Sequence, residues 1–384
     1  MAAQIAFGAQ AVPVLTRANV PGGSSLTELR ITSPLLFLRA EALGARVQVH
    51  AMLNAEGWTM RGGQLGLGVW GEGFDDRRHP HTLAHELMVS ATDLAPLPLG
   101  LHWSLSAGKG FAPFGTDDPM NRPAQLYPVN HHWSQILERA VFILGLRRGP
   151  VTLEGALFNG DEPERFSQWP NWSRFGDSWS VRALVAPSPG LELQGSYAHV
   201  KSPEHRAGAG PEHDKVSLSA RLERPLAGGA FYGLAEWSWN SEIGGFFTYY
   251  SGLAEAQWTR GPHRTWARFE RSDRPEEQRN FGDPFRSTRP HFENSNIGIT
   301  RWSVATAGYG FALTPAAFPA RTEAILEVSH ASVRALTGIF DPAAFYGRND
   351  LWMTGVGLRV AMGAPAHRMG RYGVATEGHH HHGE

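Results

Sequence analysis

Val216, Leu218, Ala220 and Leu222 alternate with Ser217, Ser219, Arg221 and Glu223; the stretch PLAGG follows, and then Phe231, Gly233, Ala235, Trp237 and Trp239 alternate with Tyr232, Leu234, Glu236, Ser238 and Asn240. Successive side chains of a strand point to opposite faces, so this stretch is a hairpin with one apolar and one polar face. The rhythm recurs along the chain. Val47, Val49, Ala51 and Leu53 alternate with Arg46, Gln48, His50 and Met52; Leu191, Leu193 and Tyr197 with Glu192, Gln194 and Ser196; Trp352, Thr354, Val356, Leu358 and Val360 with Gly355, Gly357 and Arg359. No long stretch keeps a helical period, which predicts an all-β fold.

The connections alternate as well. Short ones rich in Pro and Gly fall at 41–44, 95–100, 147–150, 187–190, 225–229, 260–263 and 314–320. Pro and Gly supply the fixed or positive φ that tight turns need. Between them lie mostly long polar segments at 16–27, 61–84, 110–137, 160–177, 201–213, 273–295 and 335–349, with a shorter one at 241–245. Seven turns and eight loops make fifteen connections and therefore sixteen strands. A soluble β-sandwich, the competing all-β reading, has no reason to gather its long loops at one end. A single closed antiparallel transmembrane β-barrel does, with short periplasmic turns and long extracellular loops. Aromatics near strand ends on the apolar face, such as Trp179, Trp237, Trp239 and Trp258, suit a lipid–water boundary.

Composition narrows the choice further. The chain has 384 residues, 42% of them apolar, and no run reaches the roughly 20 apolar residues of a spanning helix. A net charge of −1 gives no field that would gather nucleic acid. There is no cysteine, which excludes thiol and disulfide chemistry. The first residues, MAAQIAFGAQ, lack the charged-then-apolar pattern of an export signal. The reading divides the chain into a barrel at 1–362 and a C-terminal extension at 363–384, whose EGHHHHGE is either a native metal-binding tail or an appended tag.

The stretch SAGKGFAPFGTDDPMNRP (106–123) resembles the G-K-F-x-x-P-F-G segment of the phosphate-selective porin O and P superfamily of Gram-negative outer membranes. The resemblance implies a sixteen-stranded barrel, in agreement with the independent count, and a channel for small hydrophilic solutes or ions in outer-membrane lipid. Porins of this size are often homotrimers. The superfamily's anion-selective arginine and lysine ladders cannot be matched residue by residue here. The last strand, about 350–362, is also followed by further residues, APAHRMGRYGVATEG.

Sorting strands by face places Arg46, Arg182, Arg221, Arg264, Arg268 and Arg359 inside, with Glu154, Glu192, Glu223, Glu236, Glu255, Glu270, Glu323 and Glu327. Arg or Lys on the lipid face at the midplane costs about 2–4 kcal/mol, so their place opposite the apolar residues indicates a wet interior. Six bases against eight acids make a mixed field with weak charge selectivity; the plainer role for each residue is a cross-strand ion pair. The third long loop, 110–137, is the expected constriction, with Asp117, Asp118, Arg122, His131 and His132 as candidates and a short helix in HHWSQILERA. In DDRRHPHTLAHE (75–86), His79, His81 and His85 with Glu86 are candidate ligands for a divalent transition metal, a set that would favour a loop-closed binding barrel over a channel. A loop-bracing ion network is the alternative. No cofactor motif is present. Ser329 and His330 are neighbours on a strand and face opposite sides, and no nucleophile elbow or zinc-protease motif occurs, so the chain reads as a non-enzyme.

Overall fold

The computed structural model describes residues 4–19, 25–59, 81–116, 119–125, 127–129, 131–163, 165–201, 210–277, 296–315, 318–338, 341–346, 348–365 and 367–376. Sixteen strands follow one another. The first eight are Gln4–Asn19 (β1), Ser25–Ala42 (β2), Val47–Asn54 (β3), Ala84–Thr92 (β4), His102–Gly110 (β5), Arg139–Arg148 (β6), Val151–Phe158 (β7) and Ser178–Ser188 (β8). The rest are Leu191–Lys201 (β9), Glu212–Leu226 (β10), Gly229–Glu242 (β11), Phe247–Arg260 (β12), His263–Glu277 (β13), Asn296–Ala312 (β14), Ala320–Gly338 (β15) and Asp350–Gly363 (β16). Each pairs antiparallel with its sequence neighbours, and β1 pairs with β16 from Gly8↔Gly363 to Ala18↔Met353. The sheet is closed. Short helices at Glu56–Thr59 (α1), His131–Ser134 (α2) and Pro342–Tyr346 (α3) decorate the loops, and among the described residues no helix is long and apolar enough to cross a membrane.

The expected sixteen strands are present, and the short turns fall at the expected positions. Two loop expectations change most. Thr16–Asn19 and Ser25–Thr27 belong to strands, paired as Thr16↔Glu28 and Asn19↔Ser25, and β13 runs on to Glu277 against β14. Both stretches look loop-like because the inner face carries Thr, Arg, Asp and Glu, so the alternation loses contrast there. β2 also changes phase. Between Gln10 and Val12 the β1–β2 register shifts, and Ser33 opposite adopts φ +47° ahead of Pro34. The extra residue of this bulge moves the inward set from Arg30 and Thr32 to Leu35 and Phe37.

Facing follows the hairpin pattern. Leu15, Leu53, Val89, Leu144, Leu153, Leu193, Leu218, Phe269, Leu326 and Val356 are exposed on the outer faces of ten strands spread around the barrel, while Thr16, Ser90, Ser106, Ser180, Ser217, Ser238 and Thr306 are buried on the inner face. An apolar surface of that extent requires an apolar solvent. Tyr250 and Trp258 mark its two edges on β12. Eight residues at ~3.3 Å span ~27 Å along the strand, or ~20 Å upright at a tilt of ~40°, close to the ~25 Å apolar band of outer-membrane barrels.

Candidate functional site: the filled interior

The inner wall is not an open tube. The connection 111–138 leaves β5, enters the barrel and fastens to the opposite wall. The motif read from the sequence supplies the turn inward. Gly108 (φ +148°) and Gly115 (φ +70°) sit where a Cβ would overlap the carbonyl oxygens of Leu87 and Ser134. Phe111 and Phe114 between them enter two apolar clusters inside the barrel. One joins Phe114 to Met88, Ile136, Val141, Ile143 and Phe158; the other joins Phe111 to Leu35, Phe37, Met52, Tyr127 and Met369.

Across the lumen the loop meets a row of glutamates. Arg122 Nη2 lies 3.1 Å from Glu236 Oε2, and Arg122 Nε 4.0 Å from Glu255. The Gln125 N–H donates to Glu327 at 2.9 Å, and the Val129 N–H to Glu270 at 2.7 Å. Trp133 stacks on Tyr249 with ring centroids 5.0 Å apart and donates its indole N–H to the Asp273 carbonyl at 2.9 Å. These glutamates are buried although the wall they stand on was expected to be wet. The loop donates hydrogen bonds to Glu236, Glu270 and Glu327, as buried carboxylates require, while Glu255 takes its own from the Tyr232 hydroxyl on the wall.

A second segment fills the other half. After β16 the chain turns back into the barrel from the short-turn end. Arg368 and Arg371 both reach Glu192, at 2.9 and 2.8 Å. Arg182 donates to the Gly370 carbonyl at 2.7 Å, the Val374 N–H to Ser104 Oγ at 3.0 Å, and the Phe111 N–H to the Tyr372 hydroxyl at 3.2 Å. Two small gaps of about 10 Å³ each lie inside the barrel, one beside Gln125 of the loop against Arg30 and Glu327, the other between Phe114 of the loop and Gly370 of the tail. A cavity of about 710 Å³ remains at the short-turn end, lined by Arg264, Arg321, Glu323 and Arg359 among others.

The inward charges read from the sequence lie mostly in pairs. Arg182 meets Glu154 at 2.7 Å, Arg264 meets Glu323 at 2.7 Å, Arg268 meets Glu270 at 3.0 Å and Arg221 meets Glu223 at 2.6 Å. Arg359 lies 3.9 Å from Glu323, and Glu255 accepts from the Tyr232 hydroxyl at 2.8 Å. Arg46 is the exception: it is exposed on the turn before β3, not on the wall. Of the constriction candidates, Arg122 is inside, while Asp117 and Asp118 lie outside the described residues. His131 and His132 begin α2, the short helix expected there.

The histidine cluster is divided between carboxylates. His79 lies outside the described residues. The His81 and His85 rings stand 5.1 Å apart, but His81 Nδ1 bonds Glu56 at 2.6 Å and His85 Nδ1 bonds Glu138. Glu56 also accepts from the Ser33 N–H at 2.8 Å and the Tyr127 hydroxyl at 3.2 Å. Glu138 accepts from the Thr82 N–H at 3.0 Å and lies 3.4 Å from Lys109 Nζ. Burial alone would raise both carboxyls. For Glu56 the charge and hydrogen bond of His81, with the Ser33 and Asn54 donors, outweigh it and hold the group below its ordinary value. For Glu138, His85 and Lys109 do the same and bring it down to about 2. Glu56 and Glu138 thus tie the roots of two loops to the wall.

Sequence reading missed the tail, Lys109 and the apolar part of the interior. One signal was present: AVFILGL in β6 is apolar on both faces, and a strand facing lipid outside and water inside would not be.

No family model and no curated protein matches the chain. Solved structures do. An anion-selective porin from Comamonas acidovorans superposes with a TM-score of 0.54 at 12% identity, over 94% of this chain and 100% of the other. OmpT, an outer membrane protein of Vibrio cholerae in its trimer form, superposes with a TM-score of 0.50 at 6% identity, over 95% and 100%. The fold is that of a porin. At such identities the likeness concerns architecture alone.

Proposed function

We propose that the protein is an outer-membrane, porin-like channel for small hydrophilic solutes or ions, without catalytic activity, with its long loops outside the cell and its short turns in the periplasm. The observation that carries this reading is a closed sixteen-stranded barrel, apolar all round outside, whose third loop lies within. The loop and the tail both occupy the lumen, so conduction should rise when either is displaced. Selectivity between cations and anions is weak, because Arg182, Arg264 and Arg268 each stand against a glutamate and present no one-sign ladder. Kinship with the phosphate-selective porin O and P superfamily is part of the proposal and rests on GKGFAPFG (108–115); phosphate selectivity is not. The trimeric form of the Vibrio protein supports a homotrimer here too.

The test is conductance of the purified protein in a planar bilayer under a salt gradient. Brief openings with a permeability ratio within severalfold of one are expected. Strong anion selectivity would reinstate the phosphate-porin reading. Silence, even after the loop is loosened as described below, would favour a closed binding barrel.

A further inference from the structure

Inside the barrel, apart from the His81–His85 pair, three donors from three segments converge. His50 stands on the inner face of β3. Glu86 stands on the inner face of β4, one diagonal position away, since His50 pairs with Met88 and Met52 with Glu86. His367 comes from the tail. Its ring lies 4.4 Å from that of His50, and its Nε2 is 2.7 Å from Glu86 Oε2. One ligand atom from each of the three falls within a 4.8 Å sphere of mutual distances.

His50 is the telling residue. It is 2% exposed, and neither of its ring nitrogens has a hydrogen-bond partner. An imidazole carries a donor and an acceptor, and leaving both unmade in a buried site costs free energy that a packed structure ordinarily avoids. Among the described residues no Arg or Lys pairs with Glu86: Arg39, which faces His50 across β2–β3, is already 2.6 Å from Glu41. We propose that His50, Glu86 and His367 form a site for a divalent transition metal of the zinc class, which pins the tail to the barrel wall.

The chemistry suits such an ion. Two imidazoles and one carboxylate are a donor set that zinc accepts in three-ligand sites, with a fourth position left for water. Tetrahedral bonds of ~2.0–2.2 Å place donors roughly 3.3–3.5 Å apart, so side-chain adjustments of about an ångström bring these three into range. The ion would replace the direct His367–Glu86 hydrogen bond, binding both imidazoles as neutral ligands and the carboxylate as an anion. Tyr372, whose hydroxyl interacts with Glu86, supports the carboxylate from behind.

The test uses the full-length chain with His379, His380, His381 and His382 each replaced by Gln, since that run would bind the same ions. Zinc chloride titrated calorimetrically should bind once per chain. Cobalt, the second probe, should give the visible absorption of a tetrahedral site. His367→Ala, on the tail and outside the strand ladder, should weaken zinc at least about a hundredfold, more than loss of a supporting contact would. His50→Gln should do the same, and His81→Ala should leave binding unchanged. Gel mobility before and after heating checks that each barrel is folded; if His50→Gln does not fold, His367→Ala decides alone. Absence of saturable binding, indifference to His367→Ala, or loss on His81→Ala instead would overturn the assignment.

Discussion

Removing the Arg122 side chain isolates what holds the third loop in place. Arg122 is 2% exposed and lies against both Glu236 and Glu255. Arg122→Ala leaves two carboxylates facing each other across a dry gap. Breaking one side of a buried ion pair costs about 3–5 kcal/mol. The barrel ladder need not bear that cost, because the loop can leave and let water reach the glutamates. At about 1.4 kcal/mol per factor of ten, the unseated fraction should rise roughly 150- to 4,000-fold. Single-channel recording would show this as a large rise in open probability, with unfolding in urea nearly unchanged. Glu236→Gln added to Arg122→Ala should return part of the closure, since one uncompensated charge is gone. An Arg122→Ala channel that conducts like the parent, or one that loses barrel stability without any change in conductance, would refute the account of the loop as a seated plug.

Leu218→Arg, at a site 51% exposed on the outer face, should cost about 2–4 kcal/mol in lipid, measured by urea titration in vesicles. Ser219→Arg, one residue on, should instead alter conductance, because Ser219 Oγ accepts from Thr116 of the loop and donates to Gln194 at 3.1 Å. Glu56 and Glu138 have lowered folded values, so their contribution is complete above the unfolded value near 4.5 and fades as pH falls below it, for Glu138 toward about 2; stability followed from pH 7 to 2.5 should decline only in the lower part of that range. Trypsin added to intact cells should cut in the stretch 278–295, at Arg279, and spare Arg148 and Arg260 at the short turns after β6 and β12, where the next residue is Gly and cleavage is chemically open.

The strand count, the turns and the direction of each face were legible because they depend on a period of two and on Gly and Pro, all of which are local. Alternation failed where the inner face resembles a loop, at Thr16–Asn19 and Asp273–Glu277, and at the β2 bulge, which one residue creates. Of the charges assigned to the inner wall, Arg46 falls on a turn, and no local pattern names the partners of the others. That Glu192 faces inward follows from parity; that Arg368 and Arg371 meet it depends on a chain reversal after β16 that no local pattern encodes. The metal-ligating candidates were sought as neighbours in sequence. The three donors that converge are instead 36 and 281 positions apart, and only the closed ring brings them together.

That ring also fixes an order of events during assembly. The seam between β1 and β16 joins segments separated by almost the whole chain, yet the entropy of closing a loop grows only by about 0.6 kcal/mol per doubling of its length. The more stringent requirement falls on the tail. Its anchors, Glu86, Ser104, Arg182 and Glu192, stand on β4, β5, β8 and β9, far around the circumference from the strand that delivers it. Those anchors share one enclosed volume only after the seam has formed. Seating of His367–Thr376 is therefore expected after the seam has closed, and its protection from protease should distinguish a finished barrel from one whose first and last strands have not yet met.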